Sequence, residues 1–236
     1  IVLTNASTGA TEGSFYTGVD GVYSFTNKSG NYNLTINPPS GSDFLSSNLK
    51  GIDLSTQNIT QDVVLIGGGK TLSGVIYGAG GIALPNVSVK LVAASSVTNG
   101  SNSVVASAIT NAQGEYSFGV ESGSYMFNLE HYGPSWGGTM LANAEPSSMW
   151  RIYGVGTVVV SGNTKNNIQL PFVNLSGKTV DGAGNPVPNV AITSAVNLSS
   201  WVDSGGVTWP IYGDGNSVAT SDANGNYSIT IDKGAA

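Results

Sequence analysis

The chain lacks cysteine altogether and contains a single histidine, His131. The absence of cysteine excludes disulfides, thiol chemistry and cysteine-based zinc sites. Charged residues make up only 9% of the 236 residues, and the 8 Lys and Arg are too few for a nucleic-acid-binding surface. No apolar run approaches the ~20 residues that a membrane-spanning helix needs. What remains is a folded chain of low charge (net -6), with 33 glycines.

The abundant Gly, Ser, Thr and Asn residues are typical of secreted surface proteins, so we predict an extracellular or cell-surface location. The chain starts at Ile1 without a signal-peptide pattern. We therefore interpret it as a processed chain or as a segment of a longer one.

The sequence repeats itself in units of about a hundred residues, and such repeats decide the fold class. The segment Gly114–Phe118 has copies at Gly21–Phe25 and at Gly225–Ile229. Three further segments occur twice: Ser29–Leu34 with Ser122–Phe127, Val63–Leu65 with Ile168–Leu170, and Leu72–Val87 with Leu175–Val190.

Each repeated segment alternates apolar and polar residues, as in Tyr125, Phe127 and Leu129. A period of two predicts strands with one buried and one solvated face. Turn dipeptides such as Asp181-Gly182 and Asn224-Gly225 separate them. Short strands with Gly and Asn turns predict an all-β sandwich with little helix.

The Leu-Ser-Gly, Pro-Asn-Val, Asn-Gly-x-Tyr-Ser and Ser-Gly-x-Tyr segments resemble the carboxypeptidase regulatory-like domain. This is a transthyretin-like, seven-strand Greek-key sandwich that is similar to the B-type repeats of bacterial collagen adhesins. The resemblance covers nearly the whole chain. It implies a non-catalytic spacer, stalk or adhesion module without a cofactor, although fold alone does not fix function.

The copies divide the chain into three units. Residues 1–69 form a partial sandwich that lacks its first strand, and residues 70–172 form a complete one with an aromatic insertion at 131–154. Residues 173–236 form a partial sandwich that lacks its last strands. A sandwich without a strand exposes an edge that can pair with another chain.

Two interpretations of the partial units stay open. The chain is a window on a longer tandem array, or the third unit of one molecule completes the first unit of the next. The second arrangement is a head-to-tail contact that builds a filament. The duplicated segments Gly21–Phe25 and Gly225–Ile229 argue against a perfect splice.

Candidate sites for chemistry are weak. Asp222, Asn224 and Asn226 offer alternating oxygen ligands for calcium, but a downstream bidentate Glu is missing and a turn explains the pattern. We expect His131 to lie in a loop, because a catalytic triad would need positioned partners. The sequence therefore predicts no enzyme.

All four tryptophans lie in two long insertions, 131–154 and 197–213. Loops carry function more often than strands do, and exposed aromatic rings anchor interfaces or stack on sugars. Three uses stay open: packing against the sandwich or a neighbouring unit, a subunit interface, and glycan binding. The candidates are Trp136, Trp150, Tyr153, Trp201, Trp209 and Tyr212.

Nine Asn-x-Ser/Thr sequences are candidate N-glycosylation sites in an extracellular protein. They are Asn5, Asn27, Asn33, Asn58, Asn86, Asn99, Asn174, Asn197 and Asn226.

Together these features predict an extracellular structural or adhesive protein, a subunit or segment of a filament, pilus-like fibre or stalk. Its partners are copies of itself, through strand complementation, or adjoining domains of a longer chain. The alternative is a carbohydrate-binding or spacer module of a secreted hydrolase, which docks on surface glycans through the tryptophans.

Overall fold

The fold is that of a computed structural model, which describes residues 1–233 except 27, 68, 95–103, 133–137, 195–199, 203–207 and 214–216. For residues 200–202 and 208–213 the structure describes only the backbone. The described chain is built from β-strands, with one turn of 3-10 helix at Ala79–Gly81. The all-β sandwich predicted from the period-two alternation is confirmed. Within the described residues there is no helix long and apolar enough to cross a membrane.

Residues 1–69 contain one antiparallel four-stranded sheet in the order β2-β1-β3-β4. Its inner face carries alternate residues of β1 and β3, of which Leu3 and Leu34 are almost fully buried. The four strands are β1 (Val2–Asn5), β2 (Thr11–Ser14), β3 (Asn31–Ile36) and β4 (Ser47–Asp53).

Residues 70–172 form two facing sheets around the largest apolar core. In one sheet, β5 lies between antiparallel β8 and the short parallel strands β11 and β12. The other sheet runs β7-β6-β9-β10 and is extended by two strands from residues 200–213. The strands are β5 (Lys70–Tyr77), β6 (Ser88–Ala93), β7 (Val104–Ile109), β8 (Glu115–Val120), β9 (Gly123–His131), β10 (Trp150–Val160), β11 (Thr164–Lys165) and β12 (Ile168–Gln169).

The remaining strands form two-stranded sheets and one hairpin. Strand β13 (Phe172–Lys178) pairs with β18 (Asn226–Asp232), and β14 (Ala191–Ser194) pairs with β17 (Ser217–Thr220). The hairpin of β15 (Ser200–Val202) and β16 (Thr208–Gly213) belongs to the sheet of the second unit, because β16 pairs with β10.

The sequence copies occupy equivalent places in the sheets. Strands β1 and β3 pair with each other as β6 and β9 do, and β13 pairs with β18 as β5 does with β8. The turns also match. The carboxylate of Asp222 accepts hydrogen bonds from the amides of Asn224 and Asn226, as Asn111 does from those of Gln113 and Glu115. In both turns the glycine, Gly114 or Gly225, has a positive φ that other residues rarely adopt.

Candidate assembly interface

The first unit has a gap where the second unit has its central strand. In the second unit, β5 separates β8 from β12. The counterparts of β8 and β12 in the first unit are residues 21–25 and 63–65. Neither forms a strand, and no described strand of that unit lies between them. Val64, the counterpart of Gln169, leaves 85% of its surface exposed.

A cavity of about 930 Å³ opens beside this gap, between the first and second units. Its apolar lining includes Tyr23, Ile36, Val63 and Leu65. The backbone amides of Gln61 and Leu65 donate no hydrogen bond to any described residue. Free backbone groups next to apolar side chains are the features on which an added strand pairs.

One contact of the second unit shows how the central strand is recognised. The hydroxyl of Tyr116 donates to the backbone carbonyl of Asn166 across Gly74, at 2.5 Å. A Cβ at Gly74 would lie 1.8 Å from that carbonyl oxygen, so only glycine fits between the tyrosine and the neighbouring segment. In the first unit, Tyr23 donates to the carbonyl of Gln61, also at 2.5 Å. The tyrosine and the carbonyl are thus both present around the gap.

The third unit keeps the same glycine and tyrosine without the carbonyl. Gly177 and Tyr227 are the counterparts of Gly74 and Tyr116, and they face each other across β13 and β18. A Cβ at Gly177 would approach only the ring and hydroxyl of Tyr227. Among the residues that the structure describes, none accepts a hydrogen bond from the Tyr227 hydroxyl.

Strand β13 is correspondingly exposed. Leu175 leaves 49% of its surface exposed, whereas its counterpart Leu72 in β5 is fully buried. Val173, Val180 and Val218 are exposed as well. The position that is buried in β5 is therefore half-exposed in β13.

The aromatic insertion of the second unit folds around a buried carboxylate. Glu145 accepts hydrogen bonds from the Trp150 indole at 2.7 Å and from the Leu141 amide at 2.8 Å. One of its carboxylate oxygens lies 2.6 Å from the His131 Nδ1. The Glu145 carboxylate and the Trp150 indole thus both have hydrogen-bond partners inside the protein. These contacts hold the insertion against the sandwich.

The structure corrects one expectation about this insertion, the loop position of His131, and selects one of the three uses left open for Trp150, packing against the sandwich. His131 is not a loop residue, because it ends β9 and is buried. Trp150 is not an exposed anchor for sugars or partners, because only 2% of its surface is exposed and its ring packs on Phe172. The sequence pattern could not show this, since a tryptophan at the start of a strand faces the core or solvent with the same local signal.

A second buried carboxylate, Glu130, lies on the opposite face of β9. It forms an ion pair of 2.8 Å with Lys90 and accepts hydrogen bonds from the hydroxyls of Tyr132 and Tyr153. Burial by itself would raise the pKa of Glu130. The charge of Lys90 and the three hydrogen bonds outweigh burial and hold this pKa below its usual value. Burial and the charge of Glu130 raise the pKa of Tyr153 to about 12.

The units are joined by polar contacts at exposed edges. The side-chain amides of Asn37 and Asn48 donate to the backbone carbonyls of Ser107 and Val105 on β7. They therefore satisfy acceptors that β7, as an edge strand, leaves without a neighbouring strand. On the opposite edge of the same sheet, Ile211 of β16 pairs with Ile152 of β10.

The other predicted site residues fall into three groups. Trp136, Asn27, Asn99 and Asn197 lie outside the described residues. Trp201, Trp209 and Tyr212 lie in strands β15 and β16, of which the structure describes the backbone. These strands extend the sheet of the second unit. The Asp222 carboxylate is occupied by its turn, and the described chain contains no group of three potential metal ligands.

The remaining sequons differ in access. Asn58 and Asn86 are exposed, whereas Asn5 and Asn33 are half-buried and their side-chain oxygens accept backbone hydrogen bonds. Asn174 and Asn226 are exposed, but the side-chain nitrogen of each donates a hydrogen bond, to Asn143 and to Asp222 respectively.

No family model and no curated protein matches the chain. Among solved structures it is similar to the Bacillus anthracis TIE protein at 13% identity and a TM-score of 0.30, over 98% of this chain and 39% of that one. It is also similar to a streptococcal ancillary pilin (15%, 0.28, 87% of this chain and 63% of that one). A third is the shaft pilin SpaA from Lactobacillus rhamnosus GG (10%, 0.31, 69% and 82%).

The chain thus spans less than two thirds of the length of the first two of these proteins. At TM-scores near 0.3 the similarity carries no argument about function. The argument below therefore depends on the contacts of this chain.

Proposed function

We propose that this chain is a structural or adhesive part of an extracellular surface protein. In this proposal it is a subunit or segment of a filament, pilus-like fibre or stalk. The role is mechanical and needs no catalytic residue. Each unit is a sandwich of the carboxypeptidase regulatory-like type, and the partial units at either end join it to its neighbours by strand complementation.

The observation that carries the proposal is the gap in the first unit. Residues 21–25 and 63–65 flank a gap that β5 fills in the second unit, and the cavity beside it is lined by apolar side chains. Burying such surface contributes about 25 cal/mol per Å², which is a substantial driving force for adding a strand. The exposed face of β13 supports the same conclusion from the other end of the chain.

The inter-unit contacts favour a load-bearing role. The amides of Asn37 and Asn48 hold the first unit on β7, and β16 extends the second unit's sheet by backbone pairing. Two more hydrogen bonds cross the junction. The backbone amide of Ser147 donates to the hydroxyl of Ser217, and the backbone amide of Val218 donates to the hydroxyl of Ser147. Hydrogen bonds on both sides of the second unit keep neighbouring units in a defined orientation.

Surface glycosylation belongs to the same proposal. Asn58 and Asn86 present exposed sequons outside the strands, so glycans there would not disturb strand pairing. Mass spectrometry of glycopeptides from the native protein should find sugar on these two residues. Unmodified Asn58 and Asn86 in that protein would remove glycosylation from the proposal.

Self-assembly is the direct test of the proposed function. The purified chain should sediment as a monomer when dilute and form end-to-end oligomers or fibres at high concentration, visible by electron microscopy. A chain that stays monomeric at millimolar concentration would contradict assembly through its own ends.

A further inference from the structure

We propose that residues 59–65 of one molecule pair in parallel with the free edge of β13 in a second molecule of this chain. This inference rests on the proposed function and names the joint through which the subunits connect. It combines two partial structures of the same chain. Within the described part of the chain, strand β13 has its β18 but lacks the parallel neighbour that β5 has in β11 and β12. Residues 59–65 stand at the place of that neighbour in the repeat, since Val63–Leu65 match Ile168–Leu170, but no described strand pairs with them.

The second unit supplies the register of the joint. There, Gln169 pairs with Tyr77, and the Asn166 and Leu170 amides donate to the carbonyls of Ser73 and Tyr77. Transferred through the repeat, Val64 of one molecule lies beside Val180 of the other. The backbone amides of Gln61 and Leu65, which donate no hydrogen bond to the described residues, would donate to the carbonyls of Ser176 and Val180.

Gly177 and Tyr227 are the recognition elements of β13. In the second unit, the corresponding pair accommodates the Asn166 carbonyl, which a Cβ at Gly74 would meet at 1.8 Å. The carbonyl of Gln61 is its counterpart, and in the joint it would lie over Gly177 and accept the hydrogen bond of Tyr227. The third unit thus retains a glycine whose close neighbour is missing among the residues that the structure describes.

The joint exchanges one tyrosine contact for another. In the single molecule the Gln61 carbonyl accepts a hydrogen bond from Tyr23 of its own chain. In the joint Tyr227 of the second molecule replaces Tyr23. Residues 21–25 form no strand pairs that would have to be broken, so the exchange leaves the four-stranded sheet of the first unit intact.

This exchange predicts opposite effects for two equivalent substitutions. Tyr227→Phe removes a hydrogen bond from the joint alone and should weaken association about fivefold, since a net hydrogen bond contributes a factor of this order. Tyr23→Phe removes the competing contact in the single molecule and should strengthen association by a similar factor. Analytical ultracentrifugation over a concentration series measures both. Equal effects of the two substitutions would overturn the exchange.

Gly177→Ala should abolish the joint while leaving the fold unchanged. The new methyl group meets only the end of the Tyr227 ring inside one molecule, but it would collide with the Gln61 carbonyl of the second. Gly182→Ala is the matched control, because nothing lies within 4 Å of a Cβ there. Both variants should unfold like the parent chain, and only Gly177→Ala should lose self-association.

Cross-linking tests the register directly, because the chain has no cysteine of its own. Val64 and Val180 are both exposed, so a Val64→Cys/Val180→Cys variant should fold and, on oxidation, give a ladder of disulfide-linked oligomers. Val64→Cys/Val218→Cys also combines two exposed positions, but Val218 lies on β17, outside the joint, so this variant should give no ladder.

The outcomes separate this inference from the proposed function. A ladder from the first variant alone supports both. Fibres without the ladder, or a disulfide formed within one chain, overturn the joint and leave a filament role standing. No self-association of the parent chain and no ladder overturn both.

Discussion

Replacing Glu130 by Gln tests whether the buried ion pair stabilises the second unit. The substitution keeps the shape of the side chain and removes its charge. Lys90, whose side chain is only 12% exposed, would then keep the Gly9 carbonyl as an acceptor but lose its counter-charge 2.8 Å away. The hydroxyls of Tyr132 and Tyr153 would lose a charged acceptor.

The expected loss follows from these contacts. Removing one partner of a buried ion pair costs about 3–5 kcal/mol, because the other charge stays buried. Gln can still accept the tyrosine hydrogen bonds, so we expect the lower end, about 3 kcal/mol. For a chain of this size that corresponds to a drop in Tm of roughly 6–12 °C.

The lowered pKa of Glu130 determines how its contribution to stability changes with pH. Since the folded pKa of Glu130 lies below its ordinary value of 4.5, its contribution is complete above that value. It is lost as the pH falls through the lower folded pKa. The parent chain should therefore lose its advantage over Glu130→Gln in acid, and the two should converge.

Urea unfolding followed by near-ultraviolet circular dichroism at pH 7 and in acid measures this difference. A double-mutant cycle with Lys90→Met separates the pair from the tyrosine contacts. Equal stabilities of the parent and Glu130→Gln at pH 7, or a difference that persists unchanged below the folded pKa, would refute the reasoning.

Three further substitutions probe other contacts. Gly74→Ala places a Cβ 1.8 Å from the Asn166 carbonyl oxygen, so it should displace β11 and lower the free energy of unfolding by more than about 2 kcal/mol, as measured by thermal unfolding. Gly162→Ala is the control and should change stability little, because nothing lies within 4 Å of a Cβ there. Glu145→Ala leaves the buried Trp150 indole without its acceptor, and the tryptophan emission should shift to the red; an unshifted spectrum would contradict the role of this carboxylate. Asn48→Ala should increase amide exchange on β7, and unchanged exchange there would show that its cap is dispensable.

The sequence predicted the strands well because their signal is local. Alternation in segments such as Tyr125, Phe127 and Leu129 follows directly from the two faces of a strand, and Gly at positive φ marks the turns. The repeat also indicated which strands are equivalent.

The sequence did not predict the buried carboxylates. Glu130 and Glu145 are ordinary acidic residues in a chain with few charges, and their partners lie on other strands or loops. Lys90 precedes Glu130 by forty residues, so no local spacing could connect them. A buried Glu is stable only with such partners, and these are brought together by the packing of the sheets.

The sequence also did not predict which strand β16 pairs with. Its residues belong by sequence to the third unit, yet Ile211 pairs with Ile152 of the second unit's sheet. Backbone pairing is nearly independent of side-chain type, so the choice of neighbour depends on which edge is near enough to receive the strand.

By itself, then, the order of residues determined the β-fold, the repeated strands and the turns between them, because each depends on neighbours within a few positions. Tertiary structure decided that Trp150 points inward and that Glu130 and Glu145 are paired inside the protein. These outcomes depend on contacts between distant segments, and the free energy of such contacts exists only after the sheets have packed.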